Sequence, residues 1–152
     1  MQVKQYPTKV FIFLLLVFVS SWHAVFAKAM AGSLAEFEWQ NRMILVNTSD
    51  VAGRQTVENL FKLHEDALDE RHIVWFIVHS EGVVSNYPGN ISTSLLGEIK
   101  AILSTTPSNN LVLIGKDGGV KSRGNGLSIE TIFEQIDQMP MRQYEMKMQN
   151  NY

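Results

Sequence analysis

Two charged stretches and one isolated arginine carry most of the chemistry this chain can offer. One stretch is Gly115-Lys116-Asp117-Gly118-Gly119-Val120-Lys121. The other is Ile136-Asp137-Gln138-Met139-Pro140-Met141-Arg142, with Glu145 one turn beyond it; Arg42 stands alone before an apolar run. Cations (Arg42, Lys116, Lys121, Arg142) are interleaved with carboxylates (Asp117, Asp137, Glu145). Such a set has three uses. It can tie segments together as ion pairs, since a planar guanidinium takes a carboxylate bidentately. On that reading Arg42 is expected to pair with Asp137, and Arg142 with Glu145 or Asp117. It can instead hold a small anionic ligand or a partner through Arg42, Lys116 and Arg142. Or Asp117, Asp137 or Glu145 can act as a general acid or base, which needs a cleft and carboxylates with separated pKa values.

Other chemistry is thinner. There is no cysteine, so thiol exchange is excluded. Met139-Pro140-Met141 and Met146-Lys147-Met148 are Met-x-Met pairs. Thioethers suit Cu(I), but methionine is also an adaptable apolar filler. His64 falls on an apolar helical stripe, which suits a core or boundary position. His72 and His79 stand at opposite ends of one expected strand and cannot share a metal. Ser49, Asp50 and His79 form no nucleophile elbow. Lys116 with its glycines lacks phosphate-loop spacing, and no cofactor is implied. Asn47-Thr48-Ser49 and Asn90-Ile91-Ser92 match the glycosylation tripeptide, a short pattern that arises by chance.

The N-terminus reads as a secretory signal peptide over residues 1–31. Lys4 and Lys9 precede an unbroken apolar run, Val10 to Val19, and small-residue endings permit cleavage after Ala27 or Ala31. That run is short for a membrane span, which takes roughly 20 residues, and no later segment could span a bilayer. The expected protein is therefore exported, periplasmic or secreted, with one domain over 32–146 and a flexible tail over 147–152. The 152 residues carry 13 Lys and Arg against 15 Asp and Glu, and no carboxylate precedes Glu36. Removing the basic leader makes the remainder more acidic, which argues against nucleic acid. A protein or small anionic ligand of the cell envelope is the expected partner.

The charged residues need elements to position them. Phe37 and Trp39 alternate with polar residues, which suggests a sheet edge at Ala35–Asn41. Met43 to Val46 is a strand covered on both faces. After a loop at Asn47–Gly53, the stripe Val57, Leu60, Phe61, His64, Ala67, Leu68 predicts a helix over 54–70. Ile73 to Val78 is a buried strand, Ser80 to Thr93 a loop, and Ser94 to Leu103 a helix ended near Pro107. Leu111–Ile114 and Val120–Arg123 flank a glycine turn. Ser128 caps a last helix that Pro140 ends. This order predicts a three-layer α/β sandwich of thioredoxin-like type, a mixed sheet with a C-terminal hairpin followed by a helix.

Three pieces in combination, Ser33–Val46, Leu111–Lys121 and Ile136–Met146, resemble the family called domain of unknown function 4174. It is the prokaryotic form of the DUDES domain of animal extracellular proteins. The resemblance implies a thioredoxin-like fold, export and the absence of the redox cysteine pair, with no settled activity. Where a thioredoxin carries its redox motif, this chain has Thr48 to Arg54. A cis-proline would precede the third core strand; Pro107 lies further upstream, and Asn110 stands nearer.

The topology also places the charges. The first core strand starts, and the third ends, at the pole opposite the redox position. Arg42, Lys116, Asp117, Lys121, Asp137, Arg142 and Glu145 should gather there. The function expected is a non-catalytic binding or interaction module working at that pole. The alternatives are an enzyme with a carboxylate acid or base, and Cu(I) handling by Met139, Met141, Met146 and Met148.

Overall fold

The computed structural model describes residues 29–105 and 110–149. Nearly all of the expected signal peptide, Pro107 and residues 150–152 lie outside the described residues. Five strands form one mixed sheet: β2 (Arg42–Asn47), β3 (Ile73–His79), β4 (Gly82–Ser85), β6 (Leu111–Ile114) and β7 (Val120–Gly124). Their order across the sheet is β4-β3-β2-β6-β7. β2 and β3 are parallel, and the remaining neighbours are antiparallel. Two short strands, β1 (Met30–Ala31) and β5 (Asn90–Ile91), pair separately.

Strand alternation divides the apolar residues between two cores. Met43, Leu45, Val74, Phe76, Val78, Val112 and Ile114 face α3 (Thr93–Ser104), which contributes Leu95, Ile99 and Leu103. Ile44, Val46, Ile73, Trp75, Ile77, Leu111 and Leu113 face the other way. They meet Phe61 of α1 (Val51–Leu63), Leu68 of α2 (Glu65–Glu70) and Ile129, Ile132 and Ile136 of α4 (Ile129–Asp137). The result is the expected thioredoxin-like sandwich. A parallel pair is joined through helices, an antiparallel third strand lies beside the first, and a hairpin leads into a helix packed on the sheet.

Local expectations need five corrections. Residues 34–37 form a 3-10 turn rather than a sheet edge. The helix begins at Val51, since Asp50 Oδ1 accepts from the Gly53 N–H at 2.7 Å and caps it ahead of the apolar stripe. It then breaks at His64 into α1 and α2. The stretch after β3 turns back through Ser80 and Glu81 into β4, and Gly82 adopts a φ of +148° that suits glycine. Pro140 ends α4 and also opens a new helix, α5 (Pro140–Gln149). Proline lacks only an N–H that a helix's first turn leaves unpaired anyway. The tail expected from residue 147 is thus, as far as Gln149, the end of α5.

No helix among the described residues is long and apolar enough to cross a membrane.

Candidate charged pole

Arg42 opens β2, and the register pairs it with Ile73 at the start of β3. The turn between α2 and β3 therefore lies at the same end, and so does the turn after β6. The α4–α5 junction closes over this end of the sheet. Arg42 and Arg142 are each 1% exposed and Lys116 is 8% exposed. Charges so deeply buried persist only with partners.

Glu145, on α5, is the hub. Its carboxylate accepts from Arg42 Nη1 at 3.1 Å and Nη2 at 3.4 Å, and Lys116 Nζ lies 2.8 Å from Oε1. Arg142 Nη1 is 3.9 Å from Oε2. Burial raises the Glu145 pKa, but the hydrogen bonds from Lys116 and Arg42 outweigh it and hold the carboxyl below its ordinary range. Asp137 shows the same balance. Burial pushes it up, while Arg71 (3.1 and 2.6 Å) and Arg142 (3.2 Å) pull it further down. Arg142 also donates to the Glu70 carbonyl at 3.1 Å and to the Glu70 carboxylate. Arg71 stacks its guanidinium over Phe133, 4.5 Å from the ring centre.

His72 completes the cluster. Its Nδ1 is 2.7 Å from Lys116 Nζ. A lysine ammonium only donates, so Nδ1 accepts and the ring carries its proton on Nε2. Burial first, then the charge of Lys116, lower the His72 pKa; Arg42 and Arg142 act the same way and Glu145 opposes them. His72 has a φ of +51°, a conformation L-residues seldom adopt.

The charges gather at one pole, with different partners from those expected. Arg42 pairs with Glu145 rather than Asp137, because Arg71 takes Asp137 in a two-pronged contact. Arg142 meets Asp137 and Glu70, and touches Glu145 only at long range. Asp117 belongs to Lys121, at 2.6 Å, and that contact lowers its pKa. Glu70, Arg71 and His72 were missed in the sequence. The signal was present, since residues just before a strand parallel to β2 must share the pole of Arg42. The continuous network contains four cations (Arg42, Arg71, Lys116, Arg142) and three carboxylates (Glu70, Asp137, Glu145).

A cavity of about 330 Å³ opens beside it, lined by Arg42, Lys116, Asp117, Lys121, Met139 and Met141 together with Gly115 and Pro140. Two sequence stretches some 20 residues apart thus build one wall each. Arg42 Nε is buried and has no hydrogen-bond partner. A larger open groove, about 670 Å³, lies at the opposite pole along residues 46–53 and Asn110. It offers hydroxyls and the Asp50 carboxylate, and among the described residues no lysine or arginine lines it.

Met141 lines the cavity. Met139 packs against the second core. On α5, residues advance by about 100° each, which turns Met146 about 160° from Met148. Among the described residues, no cluster of three or more His, Asp or Glu could hold a metal.

The profile of the family described as Domain of unknown function (DUF4174) matches residues 33–145, about three quarters of the chain. The chain belongs to this family. The match includes every member of the charged network. Coiled-coil domain-containing protein 80 of Danio rerio is 27% identical over 144 residues, covering 82% of this chain and 17% of that protein. The chain thus spans less than a fifth of the length of that curated relative. Among solved structures, the reduced 2-Cys peroxiredoxin of Plasmodium vivax aligns over 75% of this chain and 84% of its own. Its sequence identity is 18% and its TM-score 0.47.

Proposed function

We propose that this domain is an exported, non-catalytic binding module, and that the cavity between the β6–β7 turn and the α4–α5 junction receives an anionic group. One observation carries the reading. Arg42, Lys116 and Lys121 line that cavity, while among the described residues their bonded carboxylates are two, Glu145 and Asp117. A surplus cation in a partly desolvated wall favours an incoming anion. The acid–base alternative has less support, because the lowered pKa values of Asp137 and Glu145 leave them without a proton to give as acids and make them weak bases near neutral pH.

Export rests on the leader pattern, and cleavage after Ala27 suits the fold better than cleavage after Ala31. The later site would remove Met30 and Ala31, which form β1, and Ala31 is buried in the first core. N-terminal sequencing of the exported protein should begin at Lys28; a start at Gly32 would reverse this choice.

The binding reading is tested by titrating the purified protein with acetate, succinate and inorganic phosphate while following backbone amide signals. At least one anion should give saturable shifts across residues 115–121, with a Kd below about 1 mM. Lys121→Gln, at the accessible rim, should weaken that binding about tenfold. If none of the three gives a saturable shift, the pocket is no anion site.

A further inference from the structure

Resting on that reading, we infer that the occupant is an acidic side chain of a protein segment, presented beside an apolar residue that packs on Trp39 and Met141. Three observations point this way. The first is size. About 330 Å³ lies at the bottom of the range for small-molecule pockets, so it suits one side chain better than a whole cofactor or oligosaccharide.

The second is the rim. Trp39, Val120 and Met141 are 68%, 43% and 38% exposed. Met141 lines the cavity, Val120 precedes the lining residue Lys121, and Trp39 is tied to the lining residue Lys116 through its N–H and the Lys116 carbonyl, 2.6 Å apart. A cationic hollow with exposed Met141 in its lining, and with Trp39 and Val120 on the segments next to it, has the composition of a protein-recognition patch, where tryptophan and arginine dominate the energy.

The third is conformation. Trp39 has a φ of +65°, an outlier for a bulky residue. The left-handed backbone closes the turn after residues 34–37, where the Gln40 and Asn41 N–H groups reach back to the Phe37 carbonyl; a small residue would close it equally well, so the exposed indole is the feature that folding leaves unexplained. The turn that holds Lys116 also holds Trp39 in this conformation, so charge and aromatic surface are presented as one unit. Glu38, whose carboxylate lies against Gly118, makes that flank acidic. An incoming carboxylate is thereby steered to the side of Lys121 and Met141.

The test uses the purified protein and two end-blocked peptides, Ac-Ser-Leu-Glu-Phe-Ser-amide and the same peptide with Gln for Glu, with acetate and phosphate as small-anion arms. Binding is read from the amides of residues 115–121 and the Trp39 indole N–H. The Glu peptide should bind at least about tenfold more tightly than acetate or the Gln peptide. Trp39→Gly, which fits the positive φ, should weaken the Glu peptide about thirtyfold, well beyond its effect on acetate. If acetate or phosphate matches the peptide and Trp39→Gly changes nothing, the inference fails while the anion pocket stands. If the Gln peptide binds as well as the Glu peptide, carboxylate capture is wrong, and the acetate arm judges the pocket by itself. Failure of every probe removes both readings.

Discussion

Replacing Glu145 by Gln is the most informative single change, because the carboxylate neutralises two buried cations at once. Arg42 reaches it at 3.1 and 3.4 Å, and Lys116 at 2.8 Å. The amide keeps one acceptor oxygen, and its NH2 must face a donor. Both cations therefore lose their anionic partner, and one of them also faces the amide NH2 in place of an acceptor. Hydrogen bonds to charged groups contribute about 1.5–3 kcal/mol each, and breaking a buried pair from one side costs about 3–5 kcal/mol. Glu145 keeps 17% of its side chain in solvent, so water recovers part of the loss, and about 3 kcal/mol is expected. For a domain of this length that lowers Tm by roughly 10 °C. Arg42→Met should cost less, about 2 kcal/mol, because Glu145 retains Lys116 while the Arg71 carbonyl loses a donor. The double variant should show a coupling of about 1–2 kcal/mol. Urea unfolding at neutral pH, with unchanged m values, measures all three. A loss below about 1 kcal/mol for Glu145→Gln, with no coupling, would place these contacts in the class of surface ion pairs and refute the reasoning.

Further predictions concern pH, the hairpin turn and the methionines. The His72 pKa is lower folded than unfolded, so the unfolded chain binds the proton first. Stability should decline as pH falls through the ordinary histidine range, near 6.5, and level off below the folded value. His72→Asn keeps the left-handed backbone and should remove that slope between neutral and mildly acidic pH. Identical slopes in urea midpoints would count against it. Asp137 and Glu145 have lowered pKa values, so their stabilisation is complete at neutral pH and is lost as pH falls through the carboxylate range. Glu145→Gln should lack its share of that acid-induced loss. Gly118 has a φ of +72°, and a Cβ there would sit 2.5 Å from Glu38 Oε1; Gly118→Ala should cost about 1–2 kcal/mol, and a loss too small to measure would contradict this. Changing Met139, Met141, Met146 and Met148 together to Leu should leave Cu(I) retention against a competing chelator unchanged; a loss confined to the variant would revive the copper reading.

The sheet was legible because its strands are short apolar runs bounded by turn residues, and a buried strand has few other sequence solutions. The direction of those strands by itself places Arg42, Lys116 and Arg142 at one pole. Weak local signals hid the rest. Val83 and Val84 give β4 little apolar length, and Pro140 reads equally as an end or a beginning. α5 is largely polar, with Arg142 as its buried residue, so it has no apolar stripe to announce it.

The residue order by itself determined the layers, the absence of thiol chemistry and the end of the sheet where charge would collect. Only the tertiary structure decided which carboxylate meets which cation. Ion pairing depends on distances of a few ångströms between residues up to 103 positions apart. Asp137 and Glu145 are chemically equivalent in the sequence. They became different when Arg71, from the turn before β3, took the first and left the second to Arg42 and Lys116.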